Sequence, residues 1–228
     1  MLVHGFASTA QVNWVHPGWI TTLTKAGRRV IAPDNRGHGV STKFYDPAAY
    51  HSSCMADDVR ALLDHLELVS ADVMGYSMGA RICAFFTLAQ PQRVRRAIFG
   101  GLGIHLVRGV GLPDSIAEAL EAPSRDDVHD PVGRMFRAFA EQTKSDLAAL
   151  AACLRGSRQT LTPSQAASIE VPVLIAVGTK DVIAGSPHEL ASLMPHARAI
   201  DIPERDHMLS VGDKVYKQAV QRFLANEC

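Results

Sequence analysis

The chain has 228 residues, 47% of them hydrophobic, and its 23 basic residues balance its 23 acidic ones. This composition predicts a globular protein with one sizeable core, and the balanced charge, without a basic stripe, disfavours nucleic-acid binding. The amino terminus lacks the features of a secretory signal, and no segment reaches the roughly 18 consecutive apolar residues of a membrane span. We therefore expect a cytoplasmic protein that does not associate with membranes.

Short apolar runs bounded by Gly, Pro, Asp or Asn alternate with longer segments whose apolar residues recur at helical spacing. The runs predict strands at Met1–His4, Arg29–Pro33, Ala71–Gly75, Arg95–Phe99, Val171–Val177 and Ala197–Ile202. The longer segments predict helices at Pro17–Ala26, Met55–Leu66, Met78–Ala89, Pro187–Met194 and Lys214–Leu224. Because most strands are apolar on both faces, the sequence predicts an α/β fold with a doubly wound, mostly parallel sheet.

Residues 103–165 interrupt this alternation. They contain three helical patterns, at Asp114–Glu121, Pro131–Gln142 and Ser145–Leu154, and no convincing strand. Since so long a stretch without structure is rare in a compact domain, we expect a helical lid. The lid is inserted into a single domain that spans residues 1–228.

A serine between two glycines stands where a predicted strand meets a predicted helix, in Gly75-Tyr76-Ser77-Met78-Gly79. So sharp a turn forces its central serine into an unfavourable backbone conformation, and the glycines remove side chains that would collide. The pattern alone is weak, because most serines between glycines lie in ordinary loops. Its position between a strand and a helix favours a nucleophile at Ser77.

A serine hydroxyl becomes a good nucleophile only when a base takes its proton. His207 follows the last predicted strand, and Asp181 follows the most convincing buried one. Both are therefore expected at the carboxyl end of the sheet, where parallel α/β proteins build their sites. Ser77, Asp181 and His207 also occur in the order serine, acid, histidine, which this kind of elbow requires.

An oxyanion that forms on the attacked carbonyl needs two backbone N–H donors. Met78, directly after the serine, supplies one, and Phe6, directly after the turn at His4 and Gly5, is the natural second donor. We expect His4 to shape this turn rather than to transfer protons.

Five motifs resemble those of the α/β-hydrolase superfamily. They are HGF at 4–6, DNRGHGVS at 34–41, GYSMGA at 75–80, GTKD at 178–181 and DH at 206–207. The chain is similar to small cytoplasmic esterases and enol-lactonases, and the resemblance covers nearly everything outside residues 103–165. It implies a serine hydrolase that cleaves a small carboxylic ester or lactone through an acyl-enzyme, without metal or organic cofactor. A serine elbow disfavours dehalogenase and epoxide-hydrolase chemistry, which need aspartate there.

Other functions stay open at this point. The same three residues could hydrolyse a carbon–carbon bond in a β-diketone-like substrate, cleave a thioester, or run perhydrolysis of the cofactor-free haloperoxidase kind. A ligand-binding receptor or pseudoenzyme is an alternative of another class, because a fold alone does not imply turnover.

Several side chains are candidates for the substrate pocket. They are Trp14 and, at helical spacing in the predicted lid, Met135, Phe136 and Phe139. Helical stripes of this kind belong to the core as often as to a pocket. We expect Arg81 at the surface or in a salt bridge rather than at the substrate, and residues 34–38 as a hydrogen-bonded scaffold for the oxyanion turn.

Two features depart from the superfamily pattern. Asp206 stands before His207, where members usually have glycine, and we expect its side chain to be solvated. The chain also begins at the strand that is usually the third, so the strand at 29–33 would lie at an open edge of the sheet. Either the start is misassigned, or a partner chain covers this edge, as in a homodimer.

Overall fold

Five parallel strands form one sheet in a computed structural model, which describes residues 1–109 and 112–226. Their spatial order, β1-β2-β3-β4-β5, is also their order along the chain. They are β1 (Leu2–Val3), β2 (Ala71–Tyr76), β3 (Val94–Gly100), β4 (Val173–Gly178) and β5 (Ala197–Ile202). The predicted α/β fold with a parallel sheet is confirmed, and all five strands end at the same edge.

Helices connect the strands and cover both faces of the sheet. In the described residues they are α1 (Trp19–Lys25), α2 (Ser52–His65), α3 (Met78–Ala89), α4 (His105–Arg108), α5 (Ser115–Glu121), α6 (Pro131–Gln142), α7 (Leu147–Gly156), α8 (Pro163–Ala167), α9 (Pro187–Ala191) and α10 (Lys214–Leu224). A π-helical turn spans Gln11–Val15. The periodic pattern missed this turn, α4 and α8, because elements of four or five residues are too short to show a helical period.

The strand predicted at Arg29–Pro33 is not a regular strand. The segment runs beside β1, and the Leu2 N–H donates to the Ile31 carbonyl at 2.8 Å. β1 itself has only two residues, so it offers the segment too few partners for a ladder. The prediction of a sixth regular strand is therefore wrong, although the chain does pass along this edge.

Apolar side chains pack on both faces of the sheet, because successive strand residues point to opposite sides. Phe99 and Ile175 belong to the core beneath α2 and α3, whereas Ile98 and Leu174 belong to the core beneath α1 and α10. The helical segment, as we call residues 103–165, contributes most of its buried apolar side chains to the first of these cores. Within the described residues, every helix is too short or too polar to cross a lipid bilayer.

Candidate active site

Ser77 lies at a strained turn between β2 and α3. Its backbone has φ 54° and ψ −115°, a conformation that a residue with a Cβ rarely adopts and that costs about 1–3 kcal/mol. A Cβ on Gly75 would lie 2.1 Å from the Gly79 carbonyl oxygen, and a Cβ on Gly79 would lie 2.0 Å from the Val3 carbonyl oxygen. The two glycines therefore permit the close approach of backbones that holds Ser77 at the end of β2.

The three side chains singled out in the sequence form a row. His207 Nε2 lies 3.0 Å from Ser77 Oγ, and His207 Nδ1 lies 2.7 Å from Asp181 Oδ2. The Asp181 side chain is fully buried, and its Oδ1 accepts the N–H groups of Ile183 and Ala184 at 2.8 and 3.0 Å. Oδ2 is thus turned to the imidazole, where it can accept Nδ1–H and leave Nε2 to accept a proton from the serine.

Side-chain hydrogen bonds from Tyr76 and Asp206 fix the loop that carries His207. The Tyr76 hydroxyl donates to the His207 carbonyl at 2.5 Å. Asp206 is exposed, as predicted, but its carboxylate accepts the N–H groups of Met208 and Leu209 at 3.0 and 2.8 Å. Asp206 therefore closes a turn around the histidine, a role that the tendency of Asp to bond its own following backbone could have indicated.

Phe6 and Met78 place two backbone N–H groups beside the serine. Both residues are buried and line a cavity together with Ser77. Neither N–H donates to an acceptor in the part of the chain that the structure describes. The preceding Gly5 N–H is bound by Asn13 Oδ1 at 2.9 Å, a buried contact from the π-helical turn that no local sequence pattern signals.

Two buried histidines form hydrogen bonds that fix the oxyanion turn, the turn at His4 and Gly5. His38 Nε2 accepts the Ala7 N–H at 3.1 Å, and His4 Nε2 accepts the Asn35 N–H at 2.9 Å. Since an accepting ring nitrogen carries no proton, both rings are protonated at Nδ1, which donates to nearby backbone carbonyls. Burial lowers the pKa of His4 to about 4 and that of His38 to about 3, so both are neutral at pH 7.

The loop at residues 34–41 supports the same turn through its own hydrogen bonds. Asp34 accepts the N–H groups of Ala10 and Val40 at 2.8 and 3.0 Å. Arg36 forms a two-pronged ion pair with Asp58, with both N–O distances at 2.6 Å. These contacts are those of a scaffold, because none of them involves the serine, histidine or acid of the row.

Two cavities meet at Ser77, and both are also lined by Phe6 and Leu112. The first, of about 200 Å³, contacts His207; we call it the apolar cavity. Its other lining residues are Gly5, Ser8, Val12, Asn13, Tyr76, Phe136, Phe139, Met208 and Val211. The second, of about 90 Å³, is lined by Met78 and two arginines, Arg81 and Arg158; we call it the arginine cavity.

Two of the four candidate pocket residues line a cavity that also contacts Ser77. Phe136 and Phe139 line the apolar cavity. Trp14 is fully buried and packs edge-on against Trp19, with ring centroids 6.3 Å apart, so it belongs to the core beneath α1. Met135 is 50% exposed, because it lies on the side of α6 that faces solvent.

Arg81 departs from its prediction as a surface or salt-bridged residue. It is only 9% exposed, and within the described residues it forms no ion pair. Its guanidinium donates to the Gln159 carbonyl, and burial lowers its pKa to about 10. The prediction was wrong because α3 is covered on almost every side, so even its one charged residue is enclosed.

Comparisons with known proteins place the chain beside enzymes. A family model described as alpha/beta hydrolase fold matches residues 1–111. BpoC of Mycobacterium tuberculosis, named as a non-heme bromoperoxidase, is 28% identical over 216 residues, covering 85% of this chain and 81% of the relative. A 2-hydroxymuconate semialdehyde hydrolase of a Pseudomonas species is 38% identical over 126 residues, covering 54% of this chain and 40% of the relative.

Solved structures agree with the fold. The crystal structure of a hydrolase from Pseudomonas aeruginosa superposes with a TM-score of 0.77 at 25% identity, covering 98% of this chain and 88% of the other. The structural likeness therefore extends through the helical segment, beyond the residues matched by the family model.

Proposed function

Since this chain belongs to the α/β-hydrolase superfamily, we propose that it is a serine hydrolase that cleaves a small carboxylic ester or lactone. The observation that carries the proposal is the catalytic row, as we call Ser77, His207 and Asp181, with contacts of 3.0 and 2.7 Å. Two backbone N–H groups without a protein acceptor in the described chain lie beside the serine, as an acyl transfer requires.

The geometry accounts for each step of an acyl-enzyme reaction. Ser77 Oγ attacks the carbonyl carbon, and its proton passes to His207 Nε2, while Asp181 holds the ring and supports its positive charge. The N–H groups of Phe6 and Met78 bind the oxyanion, and loss of one such donor typically costs about a hundredfold or more in rate. The intermediate then collapses as His207 gives the proton to the departing alcohol.

Water completes the cycle by attacking the acyl-enzyme. His207 takes a proton from this water, the second tetrahedral intermediate collapses, and the proton returns to Ser77 Oγ as the carboxylic acid leaves.

A second candidate is hydrolysis of a carbon–carbon bond next to a carbonyl. The name of the Pseudomonas relative, a semialdehyde hydrolase, favours it. In that reaction the departing group is a stabilised carbanion, and it takes its proton from an acid in the site rather than leaving as an alcohol. Esters and vinylogous diketones offered to the same preparation distinguish the two reactions.

Labelling with a fluorophosphonate probe tests the proposal. Wild-type protein should be labelled at Ser77 and should hydrolyse at least one short ester or lactone, whereas Ser77→Ala should do neither. Ser164→Ala, which changes an exposed serine on α8, is the matched control and should retain both properties. Absence of labelling in wild type would falsify the proposal, and labelling without turnover across the substrate panel would favour a receptor.

A further inference from the structure

The two buried arginines of the described chain are compensated very differently. Arg137, 6% exposed, pairs with Glu141 at 2.8 Å and donates to the carbonyls of Ala119 and Ala122 at 2.9 Å each. Arg81 is nearly as buried, at 9% exposed, but its one described partner is the Gln159 carbonyl. A buried charge is stable when it is paired, so Arg81 lacks the counter-charge that Arg137 has.

The place where Arg81 could gain a counter-charge is the arginine cavity, which its side chain lines. The second arginine there, Arg158, is 37% exposed at its side chain and already pairs with Asp114 at 2.7 Å. The cavity therefore has a net positive lining, and its least solvated positive charge is the unpaired one. An anion that enters it would meet several free N–H donors of a guanidinium, which suit a carboxylate geometrically.

The position of His207 decides which part of a substrate reaches this cavity. His207 lines the apolar cavity and not the arginine cavity. Because the histidine must give its proton to the leaving group, the leaving alcohol belongs in the apolar cavity. The acyl part of the substrate then extends to the other side of Ser77, into the arginine cavity.

We propose that the arginine cavity binds an anionic end of the acyl chain, so that the preferred substrates are half-esters of short dicarboxylic acids. This inference rests on the proposed serine hydrolase function and names its substrate class. Arg81 lies four residues after Ser77, in the first turn of α3, which begins at Met78. Four residues of helix rise about 6 Å, a span suited to a short acyl chain such as succinyl.

A matched pair of esters tests the proposal. Monobenzyl succinate carries a terminal carboxylate, and benzyl isohexanoate carries a neutral branched end of similar shape and the same leaving group. We expect wild-type kcat/KM to be about tenfold to a hundredfold higher for the succinate ester, the range of a charge-assisted hydrogen bond. The difference should lie mainly in KM, because the ground state and the transition state carry the same distant carboxylate.

Arg81→Gln should bring the ratio of the two kcat/KM values close to one, and Arg81→Lys should retain part of the preference. Arg155→Gln is the matched control: Arg155 lies on α7 of the helical segment, pairs with Glu121 and is half exposed. The control should keep the wild-type ratio. A wild-type ratio near one, or an unchanged ratio in Arg81→Gln, overturns the proposal and leaves Arg81 with a structural role alone.

Binding measurements separate failure of this inference from failure of the proposed function. If wild type hydrolyses neither ester, calorimetric titration of monobenzyl succinate into Ser77→Ala still decides the matter. Binding that is lost in the Ser77→Ala, Arg81→Gln double variant supports the anion site even though the hydrolase proposal has failed. Binding that is absent, or that does not depend on Arg81, contradicts it. A shifted thermal midpoint of Arg81→Gln identifies any folding defect, and Arg81→Lys then carries the comparison.

Discussion

The catalytic row and the walls of the two cavities are built by different parts of the molecule. Ser77, Asp181 and His207 follow the ends of β2, β4 and β5, and backbone N–H groups bound by the carboxylates of Asp181 and Asp206 fix the turns that carry the acid and the histidine. The helical segment contributes part of the cavity walls: Phe136 and Phe139 line the apolar cavity, and Arg158 lines the arginine cavity together with Arg81 of α3. Under the proposed function, the strand ends therefore position the reacting groups, and the helical segment contributes to the choice of substrate.

The largest expected effect concerns the catalytic row at the ends of the strands. Asp181→Asn should reduce kcat by about four orders of magnitude, because an amide favours the wrong histidine tautomer. Asp201→Asn is a matched control, since Asp201 contacts His188 at 2.9 Å on the exposed surface. It should change kcat less than twofold in the same ester assay. Comparable losses in the two variants would contradict a specific role for the buried acid.

Gly79→Ala tests the close backbone approach at the turn that carries Ser77. The added Cβ would lie 2.0 Å from the Val3 carbonyl, so we expect a loss of at least about 3 kcal/mol in the free energy of unfolding. Gly27→Ala is the control, because nothing lies within 4 Å of its added Cβ although its φ is +75°. That variant should lose only about 1–2 kcal/mol, the cost of the left-handed backbone. Urea unfolding measures both, and equal losses would argue against a close approach at the elbow.

Acid should lower the free energy of unfolding, because the two buried histidines beneath the oxyanion turn are neutral in the folded chain. The pKa values of His4 and His38 are lowered to about 4 and about 3 by burial, so the unfolded chain binds their protons first as the pH falls. Their contribution is fully present above about pH 6.5 and is lost as the pH falls towards 4 and 3, roughly 3 kcal/mol for His4 and roughly 5 kcal/mol for His38. Urea unfolding measured from pH 8 to pH 4 should show the free energy of unfolding falling as the pH falls below about 6.5.

His38→Gln should reduce the dependence of the free energy of unfolding on pH, because the variant lacks one of the two buried histidines. His196→Gln, at an exposed histidine, should leave that dependence unchanged. An unaltered dependence in His38→Gln would mean that other groups cause the acid sensitivity.

The smallest expected effect lies in the helical segment. Phe139→Ala should reduce kcat/KM for esters of bulky alcohols by about tenfold, because it removes an aromatic wall of the apolar cavity. The loss should shrink for methyl esters, which do not reach that wall. Met135→Ala on the same helix removes a side chain that is 50% exposed and should change neither value. Equal effects on both esters would show that Phe139 acts through folding and not through contact with the alcohol.

Predictions from sequence succeeded where a short segment carries its own structural requirement. The glycines around Ser77 indicate a sharp turn, and most of the predicted strands and helices lie within a few residues of the observed ones. The segment at 29–33 failed because a strand needs a partner, and β1 is only two residues long. Met135 is wrong as a pocket residue because helical spacing predicts a shared face without saying which neighbour covers it. Trp14 is wrong because its ring packs against Trp19 in the core beneath α1.

The order of the elements, the sharp turn at Ser77 and the positions of Asp181 and His207 after strand ends follow from local sequence. Those features depend on local backbone sterics and on the rule that parallel strands end at one edge. Other features became visible only in the folded chain: Asn13 and His38 bind the oxyanion turn, and Tyr76 binds the His207 loop. Arg81 is likewise buried without an acidic partner among the described residues. These facts arise from contacts between residues far apart in the chain, and no local pattern encodes which distant surfaces will meet.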